Sequence, residues 1–269
     1  MRILVSFKVT PDYEALRDVD WGEGAPGAVE TRFVRRVLNV FDESALELAL
    51  RLAEAETATL EAVTIGDRTA DPFLMPLLAL GFERAARVAV DPAVLDFSAA
   101  ASAVLIAAHT RMVTPDLLLL GSRSGPGDGG TIPFRLAEEL GWPCLSQVTA
   151  IERSEDGIRA TAEVDEGLLT VTVRPPCILA IGNAVVSHLR APTLSARLAA
   201  RERRVDVLAP QELGVDAPAL ARAAGPALTR LERVRDVRPG VVVQGADARQ
   251  KASQLYDDWL RERLAGTSP

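Results

Sequence analysis

Residues 121–131 contain five glycines in eleven positions. They follow an apolar run, 116–120, that is typical of a buried parallel strand, and they precede a helical pattern over 132–140. Glycine lets backbone N–H groups approach a phosphate, and the start of a helix adds a favourable dipole. The segment is neither a Walker A loop nor a GxGxxG fingerprint after the first strand. It predicts a phosphate-binding loop, with a flexible surface loop as the alternative.

Two other segments have residue types suited to ligand contact. Asn39 is a good N-cap, and Asp42 three positions later favours the dipole of the helix that follows. Acids in a first turn disfavour phosphate but are compatible with a ribose or an adenine edge. Tyr13, after a Pro-Asp turn, is expected near the carboxyl edge of the sheet, where it either packs or faces a planar ligand. A plain helix cap remains the simpler interpretation of Asn39.

Other chemistries are poorly supported by the sequence. Cys144 and Cys177 form no CxxC pair, and His109 and His188 are too sparse for a zinc site or a Ser-His-Asp triad. A net charge of -7 argues against nucleic acid as a partner. The sequence has no signal-peptide pattern and no apolar run of membrane-spanning length, so we expect no membrane insertion and a cytoplasmic protein.

The first half of the chain alternates strand and helix patterns. Strands are predicted at 3–9, 59–65, 84–90 and 116–120, and helices at 41–55, 72–80, 98–112 and 132–140. This order predicts an α/β fold with a doubly wound, mainly parallel sheet and right-handed crossovers. Ligands in such sheets bind outside the carboxyl ends of the strands, here those of the first, second and fourth.

The second half has a different pattern. Short strands at 146–152, 158–164 and 168–173, separated by turn residues, predict an antiparallel meander, and 177–181 predicts a strand that returns to the main sheet. Residues 185–245 suggest an extended arm, and 246–264 suggest an amphipathic terminal helix. We therefore predict a nucleotide-binding domain over 1–185, including a meander at 146–174. Residues 186–269 would form a partner-recognition loop, the arm and the terminal helix.

Several blocks in order along residues 1–215 resemble the electron-transfer flavoprotein β subunit. The blocks are Arg2-Ile3-Leu4-Val5-Ser6-Phe7-Lys8 with Pro11-Asp12, Asn39-Val40-Phe41-Asp42-Glu43, Ala79-Leu80-Gly81, Asp116-Leu117-Leu118-Leu119-Leu120-Gly121, Leu140-Gly141-Trp142-Pro143 and Ala191-Pro192-Thr193-Leu194. No block is decisive alone, but the ordered set is specific. The resemblance implies an adenine-nucleotide α-hydrolase-like fold.

The resemblance also implies ligands and partners. This chain would hold AMP, or FAD in bifurcating members, and pair with an α subunit that holds the redox FAD. Residues expected at the nucleotide are Ser6, Asn39, Val40, Phe41, Asp42, Ile65, Arg123, Ser124, Gly125, Gly127, Asp128, Gly129, Gly130, Thr131 and Ile132. Tyr13 would lie beside the α subunit's flavin, and Leu194 would dock into a partner flavin dehydrogenase. Electrons would pass on to a quinone reductase or another acceptor, with no catalytic residue in this chain.

The sequence departs from the family pattern at a few positions. Val40 replaces the usual proline, and Arg123 and Thr131 replace glutamines of the glycine-rich loop. Another class stays open: a stand-alone adenine-nucleotide-binding module of the universal-stress-protein type, which lacks the long segment beyond residue 185. An adenylating ligase is disfavoured because no Ser-Gly-Gly-x-Asp loop follows the first strand.

Overall fold

The computed structural model describes residues 1–21, 29–55, 57–91, 95, 98–125, 129–184, 186–223, 225 and 240–265. The strands are β1 (Arg2–Ser6), β2 (Val9–Pro11), β3 (Arg36–Leu38), β4 (Thr59–Gly66), β5 (Arg84–Ala89), β6 (Leu117–Gly121), β7 (Cys144–Ser154), β8 (Gly157–Val164), β9 (Gly167–Val173), β10 (Cys177–Ile181) and β11 (Asp206–Leu208). The helices are α1 (Val40–Ala55), α2 (Asp71–Leu80), α3 (Ala99–Val113), α4 (Ile132–Leu140), α5 (Leu194–Ala199), α6 (Ala217–Arg222), α7 (Ala248–Leu255) and α8 (Arg261–Ala265). The chain divides into two compact units, Met1–Leu231 and Glu232–Pro269.

In the described part of the first unit, nine strands form one sheet in the order β11-β5-β4-β1-β6-β10-β7-β8-β9. The strands from β11 to β7 pair in parallel, and β7, β8 and β9 form the antiparallel meander. The predicted α/β fold with a mainly parallel, doubly wound sheet is confirmed. The strand at 177–181 does return to the main sheet, beside β6.

Alternate residues of the central strands supply two separate cores. Ile3 and Leu117 pack into the cluster that contains α1, while Leu4 and Leu118 pack into the cluster that contains α3. All five residues of β6 and of β10 are buried, as expected for strands covered on both faces. The continuous apolar runs of the sequence therefore become the middle of the sheet.

Local sequence signals fix several helix ends. Ser98 caps α3 by accepting a hydrogen bond from the Ala101 N–H at 3.1 Å. Helix α4 has Pro133 in its first turn and ends at Leu140, before the C-cap Gly141, whose φ of 68° suits glycine. These are the ordinary start and stop signals of helices, and they explain why sequence boundaries lie close to the structural ones.

Some elements follow from tertiary pairing that local patterns do not show. Strands β2 and β3 form a small antiparallel sheet, although more than twenty residues separate them. Strand β11 extends the main sheet beside β5. Part of the segment that the sequence suggests as an extended arm thus belongs to the first unit, together with the buried Val215. None of the described helices is long and apolar enough to cross a bilayer.

The second unit contains a helical run over residues 248–265. Helix α7 begins after Asp247, whose carboxylate accepts a hydrogen bond from the Gln250 N–H at 2.8 Å. A π-helical turn, Tyr256–Leu260, connects α7 to α8. This agrees with the predicted terminal helix at 246–264. Four of its large apolar side chains are exposed, namely Leu255, Tyr256, Leu260 and Leu264, and Trp259 is half-buried.

Candidate functional site

A cavity of about 550 Å³ opens at the carboxyl edge of the sheet. The ends of β1, β4 and β6 meet there, and the residues that follow these strands line it together with the start of α3. Its wall includes the apolar side chains Ile65, Leu120 and Ile132. The cations Lys8, Arg36 and Arg123 also line it. An apolar wall with convergent polar groups is the usual form of a small-molecule site.

Asp42 joins three elements at the floor of this cavity. Its Oδ1 accepts a hydrogen bond from the Gly121 N–H at 2.6 Å, and its Oδ2 accepts from the Lys8 N–H at 2.9 Å. The Asn39 Nδ2 group also donates to Oδ2, at 3.1 Å. The start of α1 is therefore fastened to the ends of β1 and β6. The carboxylate oxygens therefore accept most of their hydrogen bonds from the protein itself.

Burial controls the ionisation of this carboxyl group. Desolvation raises the pKa of Asp42 to about 6, against the opposing effect of the N–H donors of Lys8, Gly121 and Asn39. A buried carboxylate with several N–H donors is a structural group first, since its lone pairs already have partners. The residues beside it are better placed for ligand contact.

Asn39 has one group left for a ligand. Its Nδ2 donates to the Asp42 carboxylate and, at 3.0 Å, to the Arg123 carbonyl oxygen. These two acceptors use both amide hydrogens and fix which end of the side chain is the oxygen. Asn39 lines the cavity, and within the described residues its Oδ1 is the acceptor that these contacts leave available. An adenine amino group or a ribose hydroxyl is a donor of the matching kind.

Side-chain contacts hold the described part of the glycine-rich loop. Lys8 Nζ donates to Ser124 Oγ at 3.2 Å and to the Gly125 carbonyl at 3.4 Å. The Arg123 guanidinium lies 5.9 Å from the centre of the Phe41 ring, in cation–π contact. A Cβ at Gly125 would lie 3.9 Å from the Tyr13 ring. The loop thus lies between the end of β1 and the start of α1.

The structure brings together many of the residues that the sequence and the family resemblance nominate. The nominated residues that line the cavity are Ser6, Tyr13, Asn39, Asp42, Ile65, Arg123, Ser124 and Ile132. Others lie close by without lining it: Val40, Phe41, Gly125, Gly129, Gly130 and Thr131. Val40 is 62% exposed and Thr131 is the N-cap of α4. Gly127 and Asp128 lie outside the described residues. The role of each toward a ligand stays a prediction.

Several residues of the cavity wall have no ligand role that the sequence predicts. Arg36 reaches it only because β3 pairs with β2. Ser98 and Ser102 reach it because α3 begins at the same edge of the sheet. A serine at the start of the helical pattern is a local signal for a cap at Ser98. No local pattern indicates that Arg36 lies close to the first strand. Pairing across a long connection supplies that information.

The predicted docking leucine lies on a different part of the first unit. Leu194 begins α5, and the side chain of its N-cap Thr193 accepts a hydrogen bond from the Ala196 N–H at 3.2 Å. Leu194 is 74% exposed, and Leu198, one turn later, is 60% exposed. Residues four apart share a face of a helix. Together they form a small exposed apolar surface, which we call the docking surface.

Comparisons with known proteins give the family of this doubly wound α/β chain. The model of the electron transfer flavoprotein domain matches residues 28–213. A putative electron transfer flavoprotein subunit, YgcR, of Escherichia coli K12 is 30% identical over 269 residues, which cover 98% of this chain and 99% of the relative. The electron transfer flavoprotein β subunit of Dictyostelium discoideum is 27% identical, over 80% of this chain and 84% of its own. That of Bacillus subtilis is 25% identical, over 93% and 94%.

The chain belongs to the electron-transfer flavoprotein β-subunit family. The predicted family is thereby confirmed, and the chain is an electron-transfer flavoprotein subunit. The match with the Escherichia coli protein includes the segment beyond residue 185 that a stand-alone nucleotide-binding module would lack.

Proposed function

We propose that this chain is the β subunit of a cytoplasmic heterodimer that carries electrons between flavin dehydrogenases and a quinone reductase or another acceptor. It binds an adenine nucleotide, either AMP or, in a bifurcating arrangement, FAD. The redox FAD is held mainly by the α subunit. In this role the chain positions the cofactor and docks partners and uses no catalytic residue of its own.

The cavity at the carboxyl edge of the sheet is the observation that carries the nucleotide proposal. Its residues suit an adenine nucleotide: Ile65 and Ile132 offer apolar contact to a base, Asn39 offers an acceptor, and Arg36 and Arg123 offer charge to a phosphate. The glycine-rich loop would add backbone N–H groups. When bound, a flavin supplies the redox chemistry, while these side chains supply binding and orientation.

The second unit supports the proposal of an α-subunit partner. Its helical run exposes Leu255, Tyr256, Leu260 and Leu264. A short helix with several exposed large apolar residues is costly in water and favours a bound state. We propose that this run packs on the α subunit.

The docking surface supports a second partner. Leu194 and Leu198 are exposed on a short capped helix, and the family resemblance assigns Leu194 to insertion into a flavin dehydrogenase. Buried apolar anchors carry much of the energy of protein interfaces, so we propose Leu194 as the main contact with the dehydrogenase.

Co-expression with the α-subunit gene of the same genome tests the proposal. We expect a one-to-one complex with visible flavin absorbance, and acid extraction followed by mass spectrometry then gives the ratio of AMP to FAD. Ile65→Trp fills the cavity and should lower the nucleotide released from this chain. Leu169→Trp, at an exposed position on the meander, is the matched control and should not.

The possible results separate the parts of the proposal. A yellow complex with AMP supports the ordinary carrier, and a second FAD supports the bifurcating arrangement. Nucleotide content unchanged by Ile65→Trp would place the nucleotide elsewhere. A lone chain that takes up ATP or AMP and binds no α subunit would contradict the carrier role.

A further inference from the structure

A cluster of charged side chains ties the stretch 190–203, which contains the docking surface and which we call the docking segment, to the middle of α1. The Arg190 guanidinium donates to Glu47 from Nε at 3.0 Å and from Nη2 at 2.6 Å. It also donates to Glu54, one to two turns further along the same helix. On the other side, Arg51 Nε donates to Glu47 at 3.2 Å. One arginine from the docking segment thus bridges two carboxylates of α1.

The buried carboxylate of this cluster needs its cations. The Glu47 side chain is 4% exposed. Its burial acts to raise the pKa, but the hydrogen bonds from Arg190 and Arg51 outweigh this effect and hold the pKa of Glu47 below its ordinary value. Glu47 is therefore charged at neutral pH, and its charge-assisted bonds are of the stronger kind.

The contact fixes the backbone as well as the side chain. The Arg190 N–H donates to Glu47 Oε2 at 3.2 Å, in addition to the guanidinium bonds. Arg190 stands four residues before Leu194, so the chain is held in place immediately before α5. A long exposed arginine that made only a surface ion pair would leave the backbone free to move.

The other end of the segment is held in a similar way. The Arg203 guanidinium donates to the Leu78 carbonyl at 3.0 Å, at the end of α2, and to the Glu83 carbonyl. Ala200 is buried beside it. Between the two arginines lies the docking surface of Leu194 and Leu198. A six-residue helix has little stability of its own, so its order depends on these anchors.

We propose that Arg190 is a positioning residue for partner docking. Its bonds to Glu47 and Glu54 hold the segment in one conformation before the partner arrives and so lower the entropy cost of binding. The identity of the partner as a flavin dehydrogenase rests on the proposed function. The ordering of the segment by Arg190 does not.

Amide hydrogen exchange on the full chain tests the ordering directly. In Arg190→Gln we expect the amides of 196–200 to exchange faster by on the order of tenfold. Arg51→Gln is the matched control, because it also removes a cation from Glu47 but lies within α1; exchange at 196–200 should stay unchanged. Arg190→Lys keeps the charge without the bidentate geometry, so it should give an exchange rate between those of the wild type and Arg190→Gln. It replaces Arg190→Gln in the test where that variant folds poorly.

Two results would overturn the proposal. One is unchanged exchange at 196–200 in Arg190→Gln. The other is equal acceleration in β1 and β6, which indicates a general loss of stability. With a partner dehydrogenase, a double-mutant cycle of Leu194→Ala and Arg190→Gln should be non-additive in kcat/KM, because both act on one contact. If no dehydrogenase passes electrons, the proposed function fails while the exchange result still decides the ordering.

Discussion

Gly121 occupies a position where even one added methyl group has no room. A Cβ there would lie 2.7 Å from Asp42 Oδ1, 2.8 Å from Phe41 Cβ and 3.0 Å from Asn39 Nδ2. The two polar ends are held in hydrogen bonds, and Phe41 Cβ can retreat only if the start of α1 moves. Gly121→Ala should therefore push α1 away from β6 and break the 2.6 Å bond from the Gly121 N–H to Asp42.

The expected loss is large for a single methyl group. Overpacking costs about 1–3 kcal/mol, and leaving a buried donor or acceptor without its partner costs about 1–3 kcal/mol more, so the free energy of unfolding should fall by roughly 2–6 kcal/mol. Urea denaturation followed by circular dichroism measures this change. Nucleotide content should fall too, because Asn39 and Asp42 line the cavity.

Gly129→Ala is the control in the same loop. A Cβ at Gly129 meets nothing within 4 Å, so this variant should stay within about 0.5 kcal/mol of the wild type. Equal free energies of unfolding for Gly121→Ala and Gly129→Ala would show that the packing of α1 against β6 leaves room for a Cβ at Gly121, which would refute this prediction.

Three further changes should have distinct effects. Burial and then the charge of Arg84 lower the pKa of His109 to about 4. Because the unfolded chain binds the proton more tightly, the free energy of unfolding of the wild type should fall by up to about 3 kcal/mol between roughly pH 6.5 and pH 4. Urea denaturation of His109→Leu with the same pH dependence as the wild type would contradict this. Truncation after Leu231 removes only the second unit, so thermal unfolding of the first unit should be retained while size-exclusion chromatography shows loss of the α subunit; a stable heterodimer would disprove the partner role. Leu194→Ala, at a 74% exposed position, should change stability by less than about 0.5 kcal/mol and slow electron transfer from the dehydrogenase in stopped-flow assays; an unchanged rate would remove Leu194 from docking.

Local patterns were sufficient for most of the fold because the central strands are buried on both faces. The apolar run 116–120 predicts a central strand, and the structure places β6, Leu117–Gly121, between β1 and β10. Strands β3 and β11 have three residues each and gain their order from pairing with distant segments. Strands this short show too few alternations of polar and apolar residues to be predicted from sequence, so tertiary contacts determine whether they form.

The candidate site could be predicted in part, because some of its signals are local in the sequence. Glycines, a cap and the strand order are local, so the loop at 121–131 and Asn39 could be nominated from sequence. The sequence nominates Asp42 as well, and its contact with a ligand stays a prediction; what the sequence does not show is that its carboxylate accepts hydrogen bonds from the N–H groups of Lys8 and Gly121. A residue type indicates what a side chain can bind, while the fold determines whether the protein has already bound it.

Helix α1 connects the regions that we propose for nucleotide binding and for partner docking in the first unit. Its first turn, with Asp42, forms part of the cavity floor, and its later turns, with Glu47 and Glu54, hold the docking segment through Arg190. From Asp42 to Glu54 the helix rises about 18 Å. The buried face between them, including Leu46 and Ala49, packs against the sheet as one rigid element. The proposed nucleotide site and the proposed docking surface therefore share one supporting helix. If both proposals hold, a defect in the packing of α1 should affect both functions, whereas Gly121→Ala and Arg190→Gln each act first at one end of the helix.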